Sequence, residues 1–255
     1  MKNLFIIITA TFCLLLQPLA GVDVPVTGSD LIGTRTNPES SGVFSTEGWS
    51  GSSPNGFTIH WNISNLNNGS YRYTYGLTNA NPAASLSINP VTGTPSLSNN
   101  PLSKGLSHVI FQVSSNFTGD NINSVTGATL NPSDIKTYNP SDPGNSNPGL
   151  PGSFFGIKFE DPTSETLPLI QFDSDRIPIW GHFYAVDGKK PGSEVYAYNT
   201  GFGEETLPGE DTTNFTNWIP VPDTKSVEIP EPGTMIILGS SLAAIAYRKR
   251  KKVKG

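Results

Sequence analysis

From Phe57 to Leu77 the chain alternates apolar and polar residues in the pattern that paired extended strands use. Phe57, Ile59, Trp61 and Ile63 fall on one side of a period of two, with Thr58, His60 and Asn62 on the other. Asn67-Asn68-Gly69-Ser70 follows, a turn sequence that tolerates positive φ, and then Tyr71, Tyr73, Tyr75 and Leu77 alternate against Arg72, Thr74 and Gly76. This predicts a hairpin with one apolar face. Such a ribbon is stable only when further strands extend its sheet and a second layer covers its apolar side.

The rest of the chain offers those strands. Apolar-polar runs at 108–114, 153–160, 167–173, 177–186 and 194–199, with a weaker one at 43–49, are separated by clusters of turn residues. No stretch between 22 and 226 shows a helical period, and the 26 glycines and 22 prolines punctuate the chain throughout. The fold class expected is all-β, an antiparallel β-sandwich of jelly-roll or immunoglobulin-like type over residues 21–225. Segments 79–101 and 131–151, dense in Asn, Pro, Ser and Gly, read as long surface loops, and 139–152 is unsuited to regular structure. The stretch 201–226 reads as a late loop and a spacer.

The two ends have another character. Lys2 precedes an apolar run from Leu4 to Leu16, and Gln17-Pro18-Leu19-Ala20 makes a turn-prone exit. Residues 1–20 are therefore expected to be a secretory signal peptide, handled by the Sec translocon and signal peptidase. At the other end Pro230-Glu231-Pro232 forbids helix, an apolar segment runs from Thr234 to Tyr247, and Arg248, Lys249, Arg250, Lys251 and Lys252 follow. The basic cluster sets topology, keeping the tail cytoplasmic and everything before Pro230 outside. Fourteen helical residues reach about 21 Å, well short of a hydrocarbon core of roughly 30 Å. This single short transmembrane helix suits a transient stop-transfer signal better than a permanent anchor.

Charge separates the body from its ends. The formal net charge is −5, yet residues 21–229 hold nine cations against 20 acids, a net of −11. Such a body repels phosphate backbones, which argues against nucleic acid as a partner. The one cysteine, Cys13, lies in the apolar run at the start, so the body has no disulfide and no thiol nucleophile.

The tail from residue 226 to 255, with its Pro230-Glu231-Pro232, short apolar helix at 234–247 and basic residues over 248–254, resembles a PEP-CTERM sorting signal. That resemblance implies recognition by exosortase, a membrane-embedded transpeptidase-like enzyme of Gram-negative bacteria that make exopolysaccharide and biofilm matrix. It implies transit through the inner membrane, then residence at the cell surface or in the extracellular matrix. Residues 106–113, 142–156 and 175–184 also resemble a recurrent class of PEP-CTERM ectodomains, which adds no chemistry.

Residues able to carry chemistry are sparse. His60, His108 and His182 fall in three predicted strands without metal-ligand spacing, and solvated polar-face positions are expected for them. No Gly-x-Ser-x-Gly elbow accompanies the many serines. Asp173 and Asp175 share a strand face as paired carboxylates or a calcium site, although Arg176 beside them favours a structural charge cluster. The acidic loop from Glu204 to Asp211 would gather calcium only loosely. No cofactor and no enzyme activity are expected. Tyr71, Tyr73, Tyr75, Trp180, Tyr184, Tyr196 and Tyr198 are either core or a stacking platform for sugars, with Trp180 and Tyr184 the pair singled out for that platform. The leading expectation is a structural or interaction protein associated with exopolysaccharide. A surface carbohydrate-binding module is the alternative, and an exported hydrolase a third.

Overall fold

The computed structural model describes residues 25–50, 56–81, 83–98, 100–141, 147–187, 195–202 and 215–222. In chain order its strands are β1 (Ile32–Thr36), β2 (Val43–Ser45), β3 (Thr58–Asn65), β4 (Tyr71–Thr78), β5 (Leu86–Ile88), β6 (Pro95–Leu97), β7 (His108–Gln112) and β8 (Ile122–Thr126). They continue with β9 (Ile135–Tyr138), β10 (Phe154–Glu160), β11 (Leu169–Ser174), β12 (Pro178–Gly181), β13 (Phe183–Val186), β14 (Tyr196–Asn199) and β15 (Ile219–Pro222). The predicted hairpin forms: β3 and β4 pair antiparallel from Thr58 opposite Thr78 to Asn65 opposite Tyr71. Its turn takes positive φ at Asn67 and Gly69, and the side-chain oxygens of Asn65 and Asn68 accept the N–H groups of Asn67 and Ser70.

Two sheets result, in strand orders β1-β3-β4-β11-β8 and β2-β14-β13-β7-β10-β9, accompanied by the two-stranded pairs β12-β15 and β5-β6. Every ladder between these strands is antiparallel. Their inner faces meet through aromatic rings. Tyr75 stacks on Phe111 at 4.2 Å and Phe159 on Phe172 at 5.1 Å across the two sheets, and Tyr73 lies against Phe172, its cross-strand partner in the five-stranded sheet, at 5.2 Å. Burying each ring contributes on the order of 2–3 kcal/mol of transfer free energy. The two phenols remain satisfied, since Tyr73 donates to the Arg176 carbonyl and Tyr75 to that of Pro220, both at 2.8 Å. The all-β sandwich expected from the sequence is the fold observed.

Its details differ from the sequence reading in several places. The run predicted as one strand over 177–186 is two, β12 and β13, in different sheets. At the break the Gln112 N–H donates to the His182 carbonyl at 2.8 Å, and the Gln112 side chain accepts the His182 N–H at 3.0 Å. A side chain thus replaces one rung of the ladder and lets the chain change sheets. The segment 79–101 contains the β5-β6 hairpin, whose Leu97 covers Gly76 so closely that a Cβ there would lie 2.5 Å from Leu97 Cδ1. Thr58, His60 and Thr74, which alternation assigned to the polar face, are buried, as is Thr78. The segment 131–151 contains β9. Trp49, read as part of a strand, lies in a single helical turn at Glu47–Ser50.

The described part of 139–152 holds no strand, yet it does not stand off in solvent. Its 147–150 turn lies across the outer face of the six-stranded sheet, where Pro148 O accepts the Tyr184 hydroxyl at 2.6 Å. Gly149, at φ 68°, sits so near Tyr196 that a Cβ would come within 2.0 Å of the ring. Only glycine fits both demands. Among the described residues no helix is long and apolar enough to cross a membrane. The stretch 201–226, expected to be a loop and a spacer, instead holds β15, whose four residues are buried and paired with β12; the signal segment at 1–20 and the tail at 226–255 lie outside the described residues.

Candidate functional site

The three histidines are not solvated, and they do not converge. His60 is 2% exposed, and its Nε2 lies 2.9 Å from Thr78 Oγ1. Because the Thr78 hydroxyl donates to the Asn79 carbonyl, His60 must donate from Nε2, which leaves Nδ1 as a lone-pair acceptor, buried and without a hydrogen-bond partner. Burial lowers its pKa to about 4. His108 bonds Asn147 Oδ1 at 3.0 Å and has its pKa lowered mainly by burial. His182 packs on Phe202 at 4.2 Å at the crossover between the sheets. Its Nδ1 lies 2.9 Å from Asn199 Nδ2, and burial lowers its pKa to about 4. Among the described residues no three His, Cys, Asp or Glu side chains gather to hold a metal ion.

The paired aspartates separate as well. Arg72 takes both oxygens of Asp173, at 2.7 and 2.9 Å, in a two-pronged ion pair across β4 and β11. Asp175 instead accepts from the Asn121 carboxamide at 3.1 Å and lies 3.7 Å from Arg176 Nε. The charge cluster is the geometry present. The acidic loop from Glu204 to Asp211 lies outside the described residues.

The aromatic platform is not formed by the pair expected to form it. Trp180 is 7% exposed inside the sandwich, stacked on Phe215 at 4.9 Å and edge-on to Trp61 at 6.5 Å. Tyr184 is fully buried in a separate cluster on the outer face of the six-stranded sheet, beneath the 147–150 turn. Tyr73 and Tyr75 are core, and Tyr71 is half-buried against it.

Tyr196 and Tyr198 behave otherwise. They point outward from β14, and with Phe44 of β2 and Phe202 just after β14 they make a half-exposed aromatic strip. Cross-strand register places Phe44 opposite Tyr198 and Tyr198 opposite Tyr184. Phe44 and Tyr198 stack at 4.8 Å, Tyr196 and Tyr198 lie 6.4 Å apart with planes 11° from parallel, and Phe202 meets Tyr198 edge-on at 5.9 Å. The strip therefore presents ring edges and the outer ring faces at its ends. The hydroxyls of Tyr196 and Tyr198 have no hydrogen bond to the described residues. The alternation of Tyr196 and Tyr198 was readable in the sequence. Phe44 and Phe202 were not, because only the fold brings them alongside.

Residues 228–251 match the PEP-CTERM protein-sorting motif. The chain carries a PEP-CTERM sorting signal. The match takes in Pro230, Glu231 and Pro232 and the basic residues from Arg248 to Lys251, with Lys252 immediately after it. A PEP-CTERM signal implies recognition by exosortase and an exported protein sorted to the cell surface. No curated protein and no solved structure matches the chain.

Proposed function

We propose that this PEP-CTERM protein is a non-enzymatic interaction component of an exopolysaccharide-rich surface or matrix in a Gram-negative bacterium. The route begins with the signal peptide at 1–20 and the Sec translocon. It passes through the inner membrane by way of the 234–247 helix and ends with processing at the tail. The sorting match supports the address. The observation that carries the binding role is the aromatic strip of Phe44, Tyr196, Tyr198 and Phe202, which joins apolar edges to phenol hydroxyls, as contact with sugar rings requires. Binding rather than catalysis is favoured because His108, His182 and Asp173 are engaged structurally, with Asn147, Asn199 and Arg72 respectively.

Two measurements test this reading. The Phe44→Ala/Tyr198→Ala double variant is expected to bind polysaccharide extracted from the producing cells about tenfold more weakly, the loss of roughly two ring contacts. Both rings are half-exposed, so the fold tolerates the change, and affinity equal to wild type would sink the platform. Replacing Glu231 by alanine is expected to leave full-length protein, with its basic tail, in the membrane fraction, whereas mass spectrometry of the surface-sorted wild type is expected to find that tail removed. Normal processing of the variant would remove Glu231 from the recognition element.

A further inference from the structure

On the other sheet, away from the aromatic strip, a cleft of about 380 Å³ opens over the beginning of β3. Thr34 and Thr36 of β1, Asn37 after them, Thr58 and His60 of β3, and Asn81 beyond β4 line it, and two alanines complete the wall. Its volume falls within the range of small-ligand sites. None of these side chains is charged at neutral pH.

The hydrogen bonds already made decide what the cleft has left to offer. Asn37 Oδ1 accepts the Phe57 N–H at 2.9 Å, and a Cβ at Gly56 would lie 2.2 Å from that oxygen, so the carboxamide is wedged and its Nδ2 hydrogens remain to donate. Thr58 Oγ1 donates to Thr36 Oγ1 at 2.8 Å and keeps its own lone pairs. His60 Nδ1 is a buried acceptor with no partner, a condition folded proteins rarely leave unanswered. The cleft thus combines fixed acceptors with a fixed donor and lacks any countercharge.

We infer that this cleft is a binding site for one uncharged sugar ring or polyol of similar size, whose hydroxyls donate to His60 and Thr58 and accept from Asn37. A charged ligand would shed water without gaining a partner of opposite sign, and an apolar one would strand the polar floor. Hydroxyl groups both donate and accept, which suits this mixed set. The site is independent of the polysaccharide contact proposed for the strip.

The test follows the imidazole nitrogens of His60 by NMR in full-length protein labelled with ¹⁵N-histidine. D-Glucose, D-galactose, D-mannose and N-acetyl-D-glucosamine are titrated separately to about 100 mM, a range in which weak single-ring sites still saturate. At least one is expected to move the Nδ1 resonance saturably. Thr34 is exposed, so Thr34→Tyr blocks the mouth without entering the core and is expected to abolish the shift. Thr58→Val, which removes one acceptor, is expected to weaken binding, while Phe44→Ala/Tyr198→Ala leaves it unchanged. Absence of a saturable shift with all four sugars overturns the inference, as does a shift that survives both cleft variants.

Discussion

Replacing Asn199 by alanine is expected to destabilise the fold by about 4 kcal/mol, which lowers the melting temperature by on the order of 10 °C. Asn199 is fully buried where the chain changes sheets. Its Oδ1 accepts the Phe183 N–H at 2.8 Å, and its Nδ2 donates to His182 Nδ1 at 2.9 Å and to the Asn217 carbonyl at 2.7 Å. One side chain therefore ties the first residue of β13 to the crossover histidine and to the segment leading into β15. Alanine withdraws all three bonds at once and leaves a buried N–H, a ring nitrogen and a carbonyl without their partner. Asn199→Asp sharpens the test. It preserves the acceptor for Phe183, but a carboxylate oxygen then faces the His182 lone pair, so His182 gains from taking a proton. That variant should recover part of its stability as pH falls, opposite to wild type. Thermal unfolding followed by circular dichroism measures both, and a loss below about 1 kcal/mol for the alanine variant would show that the crossover is held by packing alone.

The crossover also explains why the sandwich was legible in the sequence while the platform was misplaced. Period-two alternation identifies residues that share a face along an unbroken strand. Trp180 and Tyr184, four apart, share a face only if nothing interrupts them, and the break at His182 changes the phase. It sends Trp180 into the core and Tyr184 to the outer face of the six-stranded sheet. The hairpin of β3 and β4 was readable because its signal is long and local. β5 and β6 are only three residues long, β8 is mostly polar, and β15 reads Ile-Pro-Val-Pro, a sequence that resembles loop. Proline is tolerated there because β15 pairs only with β12 in a two-stranded ribbon, so one edge needs no donor. The histidines were misjudged for a related reason. Alternation marks His60 as outward-facing, and outward means solvent only where no further layer lies above, whereas here the β5-β6 hairpin covers its sheet. The sorting signal, by contrast, is written in consecutive residues and needs no fold to be read.

Acid is expected to weaken the fold between pH 7 and pH 5. His60 and His182 ordinarily take a proton near 6.5, and in the folded protein burial holds both down to about 4. Between those values the unfolded chain binds more protons than the native one, so stability rises with pH across that window and is lost as pH falls through it. From pH 7 to pH 5 each ring should cost about 2 kcal/mol, or about 4 kcal/mol together, with His108 adding in the same direction. For a domain of this size the melting temperature should drop by on the order of 10 °C. The cause is specific at each site. A protonated His182 presents an N–H to the Asn199 amide that now donates to it, and a protonated His60 places a charge on an Nδ1 with no acceptor. His60→Gln removes one of these titrations while keeping a donor for Thr78. Denaturant unfolding at half-unit pH steps should therefore spare that variant about 2 kcal/mol of the wild-type loss between pH 7 and pH 5. An unchanged slope in the variant would place the acid sensitivity elsewhere in the fold.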